Sequence, residues 1–160
     1  MRKTIILLAI IIVSGLLFTN VYTSMVDARN WGSDIPNSLN AARAYFTVAN
    51  PGAFFRIFSP ASQVIALLAL ILCFRVGSRV RIYLGLALLV GISVDIFTFG
   101  YFYPRNAIMF EQPLADTATL RATWEGWSVW NWLRSAMLGL QLLLDCLALM
   151  LVTRPKAIDS

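Results

Sequence analysis

A row of polar residues along the last apolar stretch of the chain has the types and spacing that could do chemistry. Asn131, Arg134, Gln141 and Asp145 share one face of a helix, because their spacing follows the period of about 3.6 residues. Lipid penalises polar side chains, so this face is expected to point into the protein. A guanidinium beside an amide, with tryptophans around it, could hold an anionic or phenolate ligand.

Depth along the helices sorts the polar residues into two groups. Near the aromatic-rich ends lie the candidate ligand-binding residues, which are Asn20, Asn106, Trp127, Asn131 and Arg134. Nearer the middle lie the candidate buried polar residues, which are Asp95, Gln141 and Asp145. We expect Arg134 to pair with an acceptor on another segment, with Asn20, Asp27 and Asn106 as candidates, because a guanidinium at the edge of the lipid needs acceptors or water.

Both groups also have a structural interpretation. Asparagine, glutamine and aspartate commonly bond across membrane helices, and each contact stabilises the bundle by about 0.6 to 2 kcal/mol. The tryptophans and tyrosines near the helix ends are typical of the interface between membrane and water. Some of them could instead line a pocket for a flat apolar ligand.

The composition excludes several kinds of chemistry. The chain has no histidine, which removes the commonest general base and the commonest metal ligand. It has no glycine-rich nucleotide-binding motif. Cys73 and Cys146 are isolated in sequence and behave as small apolar side chains in this interpretation. We therefore expect no metal site and no cofactor, and no catalytic residue can be assigned.

Four long apolar stretches must position these residues. Hydrophobic residues make up 59% of the chain and charged residues 13%, and the mean hydropathy is +0.72. Crossing a bilayer takes about 20 apolar helical residues, and the backbone must bond to itself inside lipid. The sequence therefore predicts an all-α membrane protein, an antiparallel bundle of four transmembrane helices in one domain, residues 1–160. The predicted helices are 4–26, 54–74, 82–103 and 128–152.

The connections carry their own signals. Residues 38–48 are amphipathic and predict a short interfacial helix outside the membrane. Ser59 and Pro60 have the types that often begin a helix, so they are a candidate start for the second one. Pro104 is expected to end the third helix.

The basic residues indicate topology. Although the net charge is +5, Arg2, Lys3, Arg154, Lys156 and the arginines of residues 75–81 collect at one set of helix ends. The positive-inside rule then places both termini in the cytoplasm and the protein in the inner membrane. A nucleic-acid partner is not expected. The first helix also resembles a signal peptide, but the candidate cleavage site lies far beyond its apolar core, which favours an uncleaved anchor.

Short motifs near the ends of the last two helices resemble a known family. Residues 103–106 (Tyr-Pro-Arg-Asn) and 127–134 (Trp-Ser-Val-Trp-Asn-Trp-Leu-Arg) are similar to the four-helix membrane family of unknown function that includes fungal anthrone oxygenases. Residues 50–56 are compatible with it. The resemblance covers mainly residues 95–150. It implies four helices and a cofactor-free oxidation of polyphenolic substrates, with Pro104, Asn106, Trp127, Asn131 and Arg134 as the matching positions.

Two classes of function follow from these patterns. One is an oxygenase-like or ligand-binding bundle in the bilayer, with an apolar or aromatic small molecule bound at the outer end. The other is a structural or accessory membrane protein whose polar residues only join helices. A small transporter or proton path through Asp95 and Asp145 is a weaker alternative. A cavity beside Asn131 and Arg134 would favour the first class, and solid packing there would favour the second.

Overall fold

The structure is a computed structural model that describes residues 1–111, 113 and 115–153. Within those residues the chain is helical and contains no strand. Its α-helices are α1 (Arg2–Tyr22), α2 (Ala28–Trp31), α3 (Asn37–Tyr45), α4 (Pro51–Cys73), α5 (Ser78–Phe97), α6 (Tyr103–Phe110) and α7 (Thr117–Thr153).

Two π-helical turns join neighbouring helices into longer ones. Thr23–Asp27 connects α1 to α2, and Thr98–Phe102 connects α5 to α6. In each turn the first threonine donates its hydroxyl hydrogen to the carbonyl four residues earlier, Thr23 to Thr19 and Thr98 to Val94. The continuous helices that result are Arg2–Trp31 and Ser78–Phe110.

The helices extend further than the sequence patterns predicted. The second helix begins at Pro51, where the side chain of Asn50 accepts a hydrogen bond from the Ala53 amide, so Pro60 lies inside the helix. The third helix continues past Pro104, which lies in the first turn of α6 directly after the π-helical turn Thr98–Phe102. The fourth begins at Thr117 instead of 128, because Asp116 accepts hydrogen bonds from the Ala118 and Thr119 amides.

Four helices are long and apolar enough to cross a membrane: Arg2–Trp31, Pro51–Cys73, Ser78–Phe110 and Thr117–Thr153. Only 17% to 28% of the residues in their most apolar segments are buried in the protein. Large apolar side chains such as Ile11, Leu89 and Leu143 instead point outward and are more than half exposed. An apolar outer surface on apolar helices indicates a multi-pass membrane protein.

The long helices pack as a bundle. Helices α1 and α5 each contact both α4 and α7. The first turn of α1 lies beside the last turn of α4, where the Arg2 Nε atom donates to the Leu72 carbonyl at 3.1 Å. We call this the basic end of the bundle, since Lys3, Arg75, Arg79 and Arg81 belong to the same helix ends. Arg154 and Lys156 lie outside the described residues.

Three apolar clusters follow one another along the bundle. The basic end holds the cluster of Ile6, Ala69, Cys73, Val80, Leu84 and Ala148. The middle cluster consists of Leu16, Val94 and Leu138. The opposite end, here called the aromatic end, holds the cluster of Ala28, Trp31, Ile35, Leu39, Phe102, Met109, Leu120 and Trp127.

Candidate ligand-binding site

Arg134 lies inside the bundle, between the middle cluster and the aromatic end. Its side chain is 6% exposed, and both Nε and Nη2 donate hydrogen bonds to the Oδ1 atom of Asn20 on α1. The Nε distance is 2.9 Å. The prediction that Arg134 pairs with an acceptor on another segment is therefore confirmed, with Asn20 as the acceptor.

Two aromatic rings hold the same guanidinium. Its central carbon lies 4.4 Å from the ring centre of Phe102 and 5.1 Å from that of Phe55. A cation over an aromatic face is attracted by the electrons of the ring, and the attraction grows when water is excluded. The plane and the position of the guanidinium are therefore fixed by three separate segments of the chain.

Asn20 is the centre of a polar cluster that joins α1 to α7. Its Nδ2 atom donates to the Asn131 carbonyl at 3.2 Å and to the Ser135 hydroxyl at 2.7 Å. Asn131 in turn donates to the Ser24 hydroxyl at 2.6 Å. Asn20 and Asn131 are completely buried. We call Asn20, Ser24, Asn131 and Ser135 the amide cluster.

A cavity of about 880 Å³ lies beside Arg134. This volume is within the range of about 300 to 1,000 Å³ that is usual for small-molecule sites. Leu16, Val94, Leu138 and Phe55 line its part toward the basic end, while Asn40, Arg43, Asn106 and Glu111 line its part toward the aromatic end. The part toward the basic end is therefore mostly apolar, and the part toward the aromatic end combines polar side chains with aromatic rings.

One donor nitrogen of Arg134 is not bonded within the described protein and borders the cavity. Nε and Nη2 are taken by Asn20, whereas Nη1 has no acceptor among the described residues. Asp95 borders the same cavity and accepts hydrogen bonds from the Ser59 hydroxyl and the Gln63 amide of α4. Arg134 and Asp95 thus both border the cavity, and each is held by a neighbour from another helix.

Both π-helical turns border the cavity. Thr23 and Thr98, which begin the two turns, are among its lining residues. A π-helical turn disturbs the regular hydrogen bonding of a helix and occurs frequently at functional sites. Here the turns lie on the two helices that flank Arg134.

Two residues of the family resemblance also meet here. The indole Nε1 atom of Trp127 donates to the Oδ1 atom of Asn106 at 2.8 Å, and both residues line the cavity. Edge-on contacts hold the Trp127 ring against Trp31, with ring centres 5.3 Å apart, and against Phe102 at 5.6 Å. The wall of the cavity at the aromatic end is therefore a packed group of rings.

The structure separates the predicted site residues into three places. Arg134, Asn106, Trp127 and Asp95 line the cavity. Asn20 and Asn131 lie behind it in the amide cluster. Gln141 and Asp145 are buried nearer the basic end, and their side-chain oxygens and nitrogen have no partner in the part of the chain that the structure describes.

Sequence reasoning missed the partners that hold these residues. Ser59 was interpreted as a helix start, although its hydroxyl donates to Asp95. Gln63 lies one turn further along α4, and the two form a polar pair at helical spacing within an apolar helix, a signal that could have found them. Nothing in the sequence pattern marks Phe55 and Phe102, because phenylalanine is ordinary in a membrane helix.

Comparison with known proteins adds no relative: the chain matches no protein-family model, and neither the curated proteins nor the solved structures include a significant match. The resemblance to the anthrone oxygenase family therefore remains a prediction based on short motifs.

Proposed function

We propose that this membrane protein binds a small amphiphilic molecule with one acidic oxygen, a carboxylate or a phenolate. The acidic oxygen accepts a hydrogen bond from Nη1 of Arg134, and the apolar body of the molecule fills the cavity toward Leu16, Val94 and Leu138. The observation that carries the proposal is a buried guanidinium, fixed by Asn20 and two rings, that borders a cavity with one donor nitrogen unused.

The proposal includes the arrangement in the membrane. The four long helices run antiparallel through the inner membrane, both termini are cytoplasmic, and α3 lies at the outer interface. Contacts at both ends support this direction: Arg2 of α1 meets Leu72 of α4, and Asn20 of α1 meets Ser135 of α7. The basic end then faces the cytoplasm, as the positive-inside rule requires, and the cavity lies in the outer half.

The structural interpretation has support at two places, the amide cluster and the bonds from Ser59 and Gln63 to Asp95, which join α4 to α5. The amide cluster is buried and joins α1 to α7, which is what a purely structural set of polar residues would do. That interpretation gives no reason for a cavity of this size beside a charged side chain. A proton path has less support, because no hydrogen bond among the described residues joins Asp95 to Gln141 or Asp145.

The oxidation implied by the family resemblance remains a prediction that this site could serve. A three-ring phenol is flat and apolar with acidic oxygens at its edge, so it belongs to the ligand class proposed here. Asn106 and Trp127, two of the matching positions, border the same cavity.

Binding of anthracene carboxylate, a flat fluorescent acid, tests the proposal in purified protein. A hydrogen bond to a charged group contributes about 1.5 to 3 kcal/mol, so Arg134→Gln should weaken binding by about 10- to 150-fold. Glutamine can still donate to Asn20, which preserves the contact between helices. Arg121→Gln is the matched control, since Arg121 is exposed on the same helix. Equal affinity of Arg134→Gln and the unmodified protein would refute the proposal.

A further inference from the structure

The cavity reaches the outer surface of the bundle between α4 and the helix that contains α5 and α6. Phe99 and Tyr103 line the cavity, yet they are 61% and 43% exposed. Pro60 and Arg56 on α4 also line it and are exposed. Side chains that border both the cavity and the surroundings mark an opening.

The packing of α4 explains why the opening is there. Toward the basic end, α4 is closed against α5, and the bonds from Ser59 and Gln63 to Asp95 tie the two helices together. Beyond Asp95, α4 makes no extensive contact with the π-helical turn Thr98–Phe102 or with α6 in the described part of the chain. The two helices therefore separate one turn past Asp95, at Phe99.

This opening lies at the depth of lipid chains. Pro60 is about 22 Å from Arg75 along the helix, and Phe99 is about 27 Å from Arg81. Both distances fall within the hydrocarbon thickness of about 30 Å when the basic end marks the cytoplasmic side. The rim at this depth is formed by the apolar side chains of Pro60 and Phe99.

At the aromatic end the cavity is bordered by α3 and the segment after it. Arg43 and Phe46 line this part, and Phe46 packs against the apolar cluster of the aromatic end. Polar side chains and aromatic rings thus line the outward part of the cavity, and mostly apolar side chains line the inward part. An amphiphile in the outer leaflet has the same orientation, with its head group outward and its chain inward.

We infer that the ligand is a lipid-soluble acid that enters sideways from the outer leaflet, through the opening between Pro60 and Phe99. This inference rests on the proposed function, because it assumes that Arg134 binds the acid. It adds a substrate class, membrane-dissolved acids rather than water-soluble ones, and it assigns Phe99 and Pro60 to the entrance.

The test compares two nitroxide-labelled carboxylates in proteoliposomes of the full chain. One is stearate with the nitroxide near its carboxyl end, and the other is a short water-soluble nitroxide carboxylate. Saturable quenching of tryptophan fluorescence reports occupancy, because Trp31 and Trp127 line the cavity. Quenching by the labelled stearate should be saturable, and the saturable part should disappear in Arg134→Gln. The water-soluble acid should not quench at equal aqueous concentration.

A second measurement addresses the entrance itself. In a chain with Cys73→Ser and Cys146→Ser, Phe99→Cys and Ile96→Cys are each modified with a bulky lipid-soluble maleimide. Ile96 is 67% exposed on the same helix and does not line the cavity, so it is the matched control. Modification at position 99 should slow binding of the labelled stearate by about tenfold or more, and modification at position 96 should leave the rate unchanged.

The outcomes separate the two proposals. Saturable quenching by the water-soluble acid that depends on Arg134, with no effect of modification at position 99, would overturn the sideways route while leaving the Arg134 site intact. Quenching by either acid that is unaffected by Arg134→Gln would overturn the proposed function itself.

Discussion

Replacing Asn20 by leucine, which has the same number and branching of side-chain heavy atoms, should destabilise the bundle strongly. The side chain of Asn20 accepts from two nitrogens of Arg134 and donates to the Asn131 carbonyl and the Ser135 hydroxyl. The change removes all of these bonds at once and leaves a buried guanidinium without its acceptor.

The magnitude follows from the kinds of bond that are lost. Each of the two neutral bonds between helices contributes about 0.6 kcal/mol. The acceptor for the charged guanidinium contributes about 1.5 to 3 kcal/mol. The free energy of unfolding of Asn20→Leu should therefore fall by about 3 to 4 kcal/mol.

Reversible unfolding by SDS in mixed micelles measures this difference. Asn20→Asp is the informative partner variant, because a carboxylate still accepts from Arg134 although it cannot donate to the Asn131 carbonyl, so the loss should be smaller than for Asn20→Leu. Asn30→Leu is the control, since the exposed side chain of Asn30 bonds only to the Val26 carbonyl of the same helix. A loss below about 1 kcal/mol for Asn20→Leu would refute the argument, because it would mean that Arg134 does not depend on Asn20.

Three further predictions concern separate parts of the chain. A side chain at Gly91 would meet the Gln141 amide, whose nitrogen lies 3.0 Å from the added Cβ position; Gly91→Leu should cost about 1 to 3 kcal/mol in the same unfolding assay, and Gly85→Leu, where the space is open, should not. The hydroxyl and amide of Thr119 hold the pKa of Asp116 below its ordinary value of 3.8, so the cap stabilises the start of α7 fully above that value and is lost as the pH falls through the lower folded-state pKa. Hydrogen exchange at the Ala118 and Thr119 amides should therefore accelerate in strong acid, and equal protection from pH 7 to pH 2 would contradict it. An added Cβ at Gly32 would overlap the Trp124 ring, so Gly32→Ala should displace that ring and weaken its bond to the Ala28 carbonyl, which a loss of protection of Trp124 from a water-soluble fluorescence quencher would reveal.

The sequence predicted the parts of the fold that depend on whether a side chain prefers lipid, water or the protein interior. Burial in lipid requires long apolar stretches, and burial in the bundle places polar residues at helical spacing. Both patterns are visible in the sequence, the second at Asn131, Arg134, Gln141 and Asp145. The helix ends were predicted less well, because a cap such as Asn50 or Asp116 acts through local geometry. Pro104 was misleading because a proline usually interrupts a helix interior, whereas this helix continues past it after a π-helical turn.

The candidate site was predictable only in part. Arg134 could be placed inside the bundle because lipid penalises a guanidinium, and its need for an acceptor limited the partner to a few amides and carboxylates. The cavity could not be predicted, because it arises where α4 diverges from the helix beyond Asp95. That divergence depends on the packing of whole helices and on the π-helical turn at Thr98, for which the sequence has no separate signal.

The position of a bound acid relative to Arg134 tests the central claim most directly. A crystal structure of the full chain with bromine-labelled anthracene carboxylate would locate the ring by the anomalous scattering of bromine. We predict a bromine peak among Leu16, Val94 and Leu138, with the carboxylate within hydrogen-bond distance of Nη1 of Arg134. A bromine peak only outside the cavity, or an Arg134 side chain that does not contact the acid, would contradict it.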